Sequence, residues 1–286
     1  MKLVRYGPRD QERPGLIDGD GCIRDLTAHL TDIAGDALTP TELERIAAID
    51  ARTLPLVSGE PRVGPCVAGV GKFICVGLNY SDHALESGMD VPSEPVPFMK
   101  ATTAIVGPND NIEIPPGAAK VDWEVELGVV IGKSGRYIPK EKGLDHVAGY
   151  CVINDISERA YQLGHGGQWC KGKGFDTFAP MGPWLVTQDE IYDPQSLDMW
   201  LEVDGMRYQS GNTQTMVFDV VTLVSYISRF MSLQAGDVIS TGTPPGVGMG
   251  QTPHAVYLRA GQKMRLGISG LGEQHQLTVD ADLGGV

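Results

Sequence analysis

The sequence predicts a mostly β fold with short helices, in the α+β class. Short apolar or alternating stretches recur along the chain, few stretches have helical periodicity, and neither a strand–helix alternation nor an internal repeat is present. Glycine contributes 37 of the 286 residues and proline 19, so many turns between short elements are expected. A chain of this length can bury a large core.

Two units are predicted along the chain. Residues 1–65 form a small N-terminal unit with three short strands, and residues 66–286 form the main domain. A capping box at Thr39–Glu42, with Pro40 at the first helical position, predicts a short amphipathic helix in the first unit. The proline and glycine residues between Val57 and Gly64 indicate a linker.

The main domain is predicted to contain many strands and few helices. Strands are predicted at Phe73–Gly77, Pro97–Lys100, Ile112–Ile114, Trp123–Ile131, Val147–Ile153, Leu197–Val203, Met206–Tyr208, Val238–Ser240, Met264–Ile268 and Gln274–Val279. Helical segments are predicted from Asn79 or Ser81 to Glu86, at Ser157–Leu163, and at Val217–Met231, which is the longest. The five glycines of Gly164–Gly174 indicate a mobile loop, and Thr241–Gly248 a rigid polar one.

Charge and composition exclude several classes of partner. The formal net charge of −13 argues against nucleic acid and against an anionic membrane surface. No stretch approaches the ~18 apolar residues of a membrane span, and the N-terminus lacks the apolar segment of a secretion signal. The five cysteines are odd in number, widely scattered and without a C-x-x-C pair. We therefore expect a cytoplasmic protein.

Two glutamates share one face of a predicted core strand. In the stretch beginning at Trp123, Glu124 and Glu126 point to the same side because side chains alternate along a strand. Asp155 follows the next long apolar strand and is the obvious third acidic group. Such an all-oxygen set suits Mg²⁺, Mn²⁺ or Ca²⁺, and the absence of nearby His or Cys disfavours zinc. The alternative is that the two glutamates lie on a solvated strand face and that Asp155 only caps the end of its strand.

Two further groups could carry chemistry. His83 and Glu86 lie three residues apart on a short helix, so the carboxylate can orient the imidazole as a water-activating base. Lys173 lies among glycines, where its ammonium could neutralise an enolate. The alternatives are that His83 and Glu86 form an ordinary exposed pair on the helix surface and that Lys173 is simply solvated.

Taken in order, these motifs resemble the fumarylacetoacetate hydrolase family over residues ~65–286. The motifs are Gly77–Glu86, Phe98–Thr103, Trp123–Gly128, Asn154–Asp155, Lys173 and Thr241–Gly248. The N-terminal unit is similar to that of the bacterial sugar-acid branch, which includes 2,4-diketo-3-deoxy-L-fuconate and L-rhamnonate hydrolases. Relatives in this branch are often labelled ureidoglycolate lyase. The resemblance implies a mixed β-roll fold, a homodimer and a site under a lid.

The resemblance also implies a role for each candidate residue. Glu124, Glu126 and Asp155 match the family's divalent-metal ligands. His83 and Glu86 match its water-activating pair, and Lys173 matches its catalytic lysine. Three further positions match substrate contacts, and these are Arg159, Gln162 and Thr243.

The implied reaction is hydrolysis of a carbon–carbon bond in a 2,4-diketo acid, with Mg²⁺ or Mn²⁺ as cofactor and Ca²⁺ as a substitute. The products would be pyruvate and a hydroxy acid such as lactate. Two rival enzyme activities, oxaloacetate decarboxylase and ureidoglycolate lyase, could use the same groups. A binding module stabilised by Ca²⁺ is the rival that is not an enzyme.

Overall fold

Within residues 1–86 and 90–282, which the computed structural model describes, strands outnumber helices and the predicted mostly β fold is confirmed. The side chains of residues 83–85 lie outside this description. The strands are β1 Lys2–Tyr6, β2 Arg13–Ile17, β3 Ile23–Asp25, β4 Phe73–Gly77, β5 Val96–Lys100, β6 Ile105–Val106, β7 Ile112–Ile114, β8 Val121–Asp122, β9 Val125–Ile131, β10 Val147–Asn154, β11 Ser157–Glu158, β12 Ala179–Thr187, β13 Asp198–Val203, β14 Met206–Asn212, β15 Val238–Ser240, β16 Lys263–Ile268 and β17 Gly272–Asp280.

The helices are short. They are α1 Pro40–Ala47, α2 Ser81–Glu86, α3 Arg159–Leu163, α4 Cys170–Lys173 and α5 Val220–Ile227, with single 3₁₀ turns between some strands. In the described part of the chain, no helix is long and apolar enough to cross a membrane.

The described strands form three sheets. The largest has ten strands, with the order β3-β2-β1-β12-β10-β9-β15-β4-β5 and β6 paired to β12. A second sheet has the order β14-β13-β16-β17-β7, and β11 pairs with β8 alone. Antiparallel pairs predominate, although β15 runs parallel to β4. The start of β9 and the end of β10 lie side by side in this sheet, and the three predicted acidic residues lie there.

Strand β9 lies at the centre of the largest sheet. It pairs with β10 on one side and β15 on the other, and all seven of its residues are buried. A strand buried on both faces reads as a continuous apolar run, and such a run extends from Leu127 to Ile131. Gly128 leaves room for two neighbouring side chains, because a Cβ atom at this position would lie 2.6 Å from Ile153 and 2.7 Å from the Cys151 sulfur and would force them to move.

Strand β12, one of the two longest strands, is not predicted from the sequence. It begins Ala-Pro-Met-Gly-Pro-Trp, and its two prolines and glycine normally indicate a turn. The strand nevertheless pairs with β10 on one side and with β1 on the other. The N-terminal strands therefore belong to the same sheet as the strands that carry the acidic residues. The domain boundary at residue 65 stays a prediction.

Three predicted local structures differ from the observed ones. The Thr39 side chain makes no capping bond to α1, since its hydroxyl donates to the Asp36 carbonyl at 2.8 Å. Helix α5 begins after Asp219, whose carboxylate caps it, and is shorter than predicted at both ends. The glycine-rich segment predicted as a loop contains α4 in its last third, because Gly172 lets this turn pack closely on its neighbour.

Candidate metal centre and active site

Three carboxylates converge at the end of the central strands. Glu124 immediately precedes β9, Glu126 lies within it, and Asp155 follows β10. The Asp155 amide donates to the Glu124 carbonyl at 2.9 Å, which holds the two segments together. Each side chain offers an oxygen atom, these atoms lie within 4.8 Å of one another, and all three residues are buried.

Two lysines neutralise part of this buried charge. The Lys173 ammonium lies 2.6 Å from Glu124 Oε2 and 2.7 Å from Asp155 Oδ2. Lys100 Nζ lies 2.5 Å from the other Asp155 oxygen and donates to the Ile156 carbonyl at 3.0 Å. Both lysines are 2% exposed, so these contacts are shielded from water.

Lys173 reaches the carboxylates because α4 packs tightly on α3. A Cβ atom on Gly172 would lie 2.4 Å from the Glu158 carbonyl and 2.5 Å from the Gln162 amide. Only glycine permits this distance between backbones. The close contact of the two short helices delivers the lysine to the site.

The electrostatics of the cluster are dominated by burial and by neighbouring charges. Burial, together with the charges of Asp155 and Glu124, raises the pKa of Glu126 well above its ordinary value. For Lys173, burial opposes the charge, but the carboxylates of Asp155 and Glu124 outweigh it and raise the pKa. The lysine is therefore cationic at neutral pH.

Glu126 is held by neutral donors. The Ser240 hydroxyl donates to Glu126 Oε2 at 2.5 Å, and the Gly242 amide donates to the same oxygen at 2.9 Å. Gly242 has a φ of +93°, and a Cβ atom on it would lie 2.9 Å from Asn79. The turn after β15 thus needs glycine in order to present its amide to the carboxylate.

The donor set fits a hard divalent cation. The carboxylate oxygens lie within 4.8 Å of one another, and opposite ligands of a hard divalent cation lie about 4 Å apart for Mg²⁺ and about 5 Å apart for Ca²⁺. Carboxylate oxygens are the preferred ligands of Mg²⁺, Mn²⁺ and Ca²⁺, and no His or Cys belongs to the cluster found among the described residues. Glu124, Glu126 and Asp155 are the residues that could hold such an ion.

Arg159 and Gln162 lie beside the carboxylates on α3. The Arg159 guanidinium donates to Asp122 Oδ2 at 2.8 Å and to Gln162 Oε1 at 3.0 Å, and it lies 2.7 Å from Glu124 Oε1. Burial opposes its charge, but Asp122 and Glu124 together raise the pKa of Arg159 further. Both α3 residues line the same cavity as the two glutamates.

Thr243 also lines this cavity, but its hydroxyl is already engaged. It donates to the Val125 carbonyl at 2.9 Å and accepts from Gln209 Nε2 at 2.8 Å. A substrate carboxylate would need a donated proton, so the hydroxyl would have to turn away from Val125 to provide one. Thr243 therefore lies at the site, where its hydroxyl joins the loop after β15 to Val125 and Gln209.

Glu86 lies at the end of α2 and faces the same loop. The Gly246 amide donates to both of its carboxylate oxygens, at 2.9 and 3.1 Å. Gly250 also packs on this carboxylate, since a Cβ atom there would lie 2.7 Å from Glu86 Cδ. The backbone of His83 belongs to α2, but its side chain lies outside the described residues, so the predicted His83–Glu86 contact stays a prediction.

Sequence reasoning missed two buried charged residues of this site. Lys100 ends β5 and contacts Asp155. Asp122 accepts from the amides of Trp123, Gly248 and Met249 and from Arg159, so it joins the loop to α3. The signals were available, because Lys100 lies within the Phe98–Thr103 motif and Asp122 directly precedes Trp123.

Known proteins resemble this chain over almost its whole length. Residues 72–279 match the family described as fumarylacetoacetate (FAA) hydrolase C-terminal. A protein of Burkholderia multivorans, described only provisionally as a hydrolase, is 66% identical over 278 residues, which cover 97% of this chain and 99% of that protein.

Solved structures also resemble this chain over almost its whole length. A fumarylacetoacetate hydrolase from Exiguobacterium antarcticum is 36% identical with a TM-score of 0.85, covering 98% of this chain and 100% of that one. A maleylpyruvate hydrolase from Sphingobium sp. SYK-6, solved with manganese(II) and pyruvate, is 30% identical with a TM-score of 0.81, covering 99% and 100%. Similar structures include isomerases as well as hydrolases. The chain belongs to the fumarylacetoacetate hydrolase family.

Proposed function

We propose that this protein is a metal-dependent hydrolase that cleaves a carbon–carbon bond in a 2,4-diketo acid of the acylpyruvate type. The observation that carries the proposal is the buried cluster of Glu124, Glu126 and Asp155, contacted by Lys173. The similar maleylpyruvate hydrolase structure, which contains manganese(II) and pyruvate, supports both the metal and the product class. Mg²⁺ or Mn²⁺ is the proposed cofactor.

Glu124, Glu126 and Asp155 would hold the cation. A bound divalent cation would supply positive charge that attracts the oxygen atoms of the substrate and stabilises an enolate. Lys173 adds a second cation in the same water-poor cavity, where a charge acts more strongly than in bulk solvent.

His83 and Glu86 carry the proton chemistry of the proposed reaction. His83, oriented by Glu86, takes a proton from a water molecule that attacks the C4 carbonyl. The C3–C4 bond of the resulting adduct then breaks, and its electron pair leaves with the pyruvate half as an enolate. The proton that His83 took from water is then delivered to C3 of that enolate, which completes pyruvate, and the acyl half leaves as a carboxylic acid. Glu86 is fixed for its role by the two hydrogen bonds from Gly246.

The finer substrate assignment is 2,4-diketo-3-deoxy-L-fuconate or L-rhamnonate, which would give pyruvate and lactate. It rests on the order of the motifs and on the resemblance of the N-terminal unit. A homodimer is the expected assembly, which size-exclusion chromatography with light scattering can test.

A pyruvate-release assay tests the proposal. Purified protein with Mg²⁺ is incubated with acylpyruvates, oxaloacetate or ureidoglycolate, and pyruvate is measured with lactate dehydrogenase. Release from acylpyruvates that chelation abolishes, and that Mg²⁺ restores, is the expected result. Release from oxaloacetate alone would favour a decarboxylase, and glyoxylate from ureidoglycolate would favour the lyase. Metal binding without any turnover would favour a binding module.

Isomerisation is a second candidate. A 5-carboxymethyl-2-hydroxymuconate delta-isomerase structure from Mycobacterium smegmatis is 31% identical and covers 99% of this chain. An isomerase would change the ultraviolet spectrum of an unsaturated hydroxy-diacid without releasing pyruvate, so the two activities are separated by the same incubation.

A further inference from the structure

The cavity at the carboxylate cluster is lined by two chemically different sets of side chains, which we call its polar half and its apolar half. Its polar half contains Glu124, Glu126, Arg159, Gln162, Lys173 and Thr243. Its other half is apolar and is formed by Val76, Leu78, Phe98, Leu163, Trp169 and Met249. For a diketo acid whose pyruvate end lies on the polar half, this apolar wall is the rest of the described side-chain lining that its acyl end can contact.

Trp169 is built into the wall by close packing. Its ring lies so near Gly77 that a Cβ atom there would be 2.4 Å from one ring carbon and 2.8 Å from the next. Phe98 packs against Trp169 with the ring centroids 5.3 Å apart and the planes at 65°. The Lys173 ammonium lies 5.2 Å from the Phe98 ring centroid, so the aromatic wall begins at this lysine.

Leu163 lies at the rim of the same wall and is 48% exposed. It ends α3, one residue after Gln162, which belongs to the polar half. Contact between an exposed leucine side chain and water is unfavourable. A bound apolar group that covered this leucine would therefore be stabilised. The wall therefore continues from the lysine to the rim of the cavity.

The cations of the cavity are already engaged. Among lining residues whose side chains the structure describes, the cations are Arg159 and Lys173. Arg159 is paired with Asp122 and Glu124, and Lys173 with Glu124 and Asp155. The carboxylate at the pyruvate end of the substrate needs positive charge as well. A second carboxylate on the acyl end would be buried against apolar side chains without a partner, which is costly.

We propose that this enzyme selects acylpyruvates that carry one carboxylate, because its acyl subsite takes an uncharged group that contacts Trp169 and Leu163. The proposal rests on the proposed function and narrows its substrate class. A lactoyl end, with one methyl and one hydroxyl group, falls within the class. A maleyl or succinyl end, with a terminal carboxylate, falls outside it.

The test compares two substrates of equal chain length and similar size. Succinylpyruvate ends in a carboxylate, and 4-methylpentanoylpyruvate ends in an isopropyl group of similar size. Pyruvate release with Mg²⁺ gives kcat/KM for each, and we expect a preference of at least ~100-fold for the isopropyl compound. Calorimetry on the His83→Ala variant measures the binding of both compounds without turnover, and the same order is expected.

Substitutions in the wall provide the second arm. Leu163→Arg introduces a cation at the rim and should raise kcat/KM for succinylpyruvate by roughly 10-fold or more. Leu277→Arg, at an exposed leucine of β17 that does not line the cavity, is the matched control and should change neither value. Trp169→Ala should lower kcat/KM for 4-methylpentanoylpyruvate by roughly 10–100-fold and for acetylpyruvate much less.

The outcomes distinguish failure of the inferred selectivity from failure of the proposed hydrolase function. If acylpyruvates are cleaved but succinylpyruvate is used or bound as well as its uncharged counterpart, the inference is overturned and the hydrolase function stands. If no acylpyruvate is cleaved and none binds the His83→Ala variant, both are overturned. An equal gain from Leu163→Arg and Leu277→Arg would show that the charge effect does not arise in the acyl subsite.

Discussion

At the scale of single residues, the three carboxylates of the cluster have different partners. Asp155 contacts two lysines and Glu124 contacts Lys173 and Arg159, whereas the described partners of Glu126 are a hydroxyl and an amide. Burial and the two neighbouring carboxylates make the charge on Glu126 unfavourable. We therefore expect Glu126 to depend most on a bound cation and to contribute most to holding it.

Glu126→Gln should weaken Mg²⁺ or Mn²⁺ binding by at least ~100-fold, because a charged ligand becomes a neutral one of the same shape. Isothermal calorimetry measures the loss directly, and the rise in Tm on adding Mg²⁺ should disappear. Glu44→Gln, at an exposed position on α1, is the control. Unchanged affinity in Glu126→Gln would remove this residue from the ligand set.

Lys100→Met should destabilise the protein by up to ~3–5 kcal/mol, because Asp155 loses a fully buried partner. The remaining contact with Lys173 keeps the loss from being larger. Urea unfolding without metal measures the difference, and Lys133→Met at an exposed site should change stability by less than about 0.5 kcal/mol. Equal stability of the two variants would mean that the Lys100–Asp155 pair makes no net contribution.

At the scale of elements, short helices and glycine turns place the charged groups. Helix α4 has four residues and delivers Lys173, while α3 has five and delivers Arg159 and Gln162. Neither would be stable alone, since isolated helices of this length do not persist in water. Their position comes from packing on each other and on the sheet. Backbone packing at Gly172 is therefore the sensitive point.

Gly172→Ala should cost about 1–3 kcal/mol, because the added methyl group has no room against the backbone of residues 158 and 162. It should also reduce kcat in the pyruvate assay by displacing Lys173. Gly19→Ala is a matched control, since nothing lies within 4 Å of a Cβ atom there. Thermal unfolding of both variants provides the comparison, and a Gly172→Ala protein as stable and active as Gly19→Ala would contradict the packing argument.

At the scale of the whole molecule, the N-terminal strands complete the main sheet. Leu3 of β1 pairs with Leu185 of β12, and Leu3 and Val4 are buried. Arg62 contributes a second connection through its bidentate ion pair with Asp110, at 2.7 and 2.6 Å. Through β1, residues 1–65 therefore cover the edge of β12 that faces away from β10.

Deletion of residues 1–65 should give an aggregation-prone protein, because the backbone of β12 would become an exposed sheet edge with apolar neighbours. Size-exclusion chromatography and thermal unfolding of the fragment 66–286 test this. A monodisperse fragment with a cooperative transition near that of the full chain would show instead that the main domain folds on its own.

The Arg62–Asp110 pair should make stability pH-dependent at the acid end. Burial opposes the charge of Asp110, but the hydrogen bond from Arg62 lowers the pKa of this carboxyl below its ordinary value. Its contribution is therefore present above the unfolded-state pKa and is lost as pH falls through the folded-state pKa.

Asp110→Asn should thus cost on the order of 1 kcal/mol at neutral pH, allowing for partial solvent screening. The difference from the parent protein should vanish at acid pH, once Asp110 is protonated in both states. Urea unfolding across pH tests this, and a difference that grows as pH falls would contradict the sign.

Much of the candidate site could be predicted from local sequence. The alternation at Glu124 and Glu126 placed both carboxylates on one face, and the end of an apolar strand indicated Asp155, because strand periodicity and strand ends are local properties. The mostly β class came from the same patterns. Spacing and the family resemblance together indicate Lys173 and the His83–Glu86 pair.

By itself, the sequence determined which residues lie on the central strand and in what order the chemical groups occur along the chain. Only the tertiary structure placed Lys100 on Asp155, Asp122 between Arg159 and the Gly248 loop, and Trp169 against Gly77. These contacts join residues far apart in the chain, and they depend on which strands become neighbours. Strand β12 is the clearest case, because its prolines indicate a turn locally while pairing with β1 and β10 makes it a central strand.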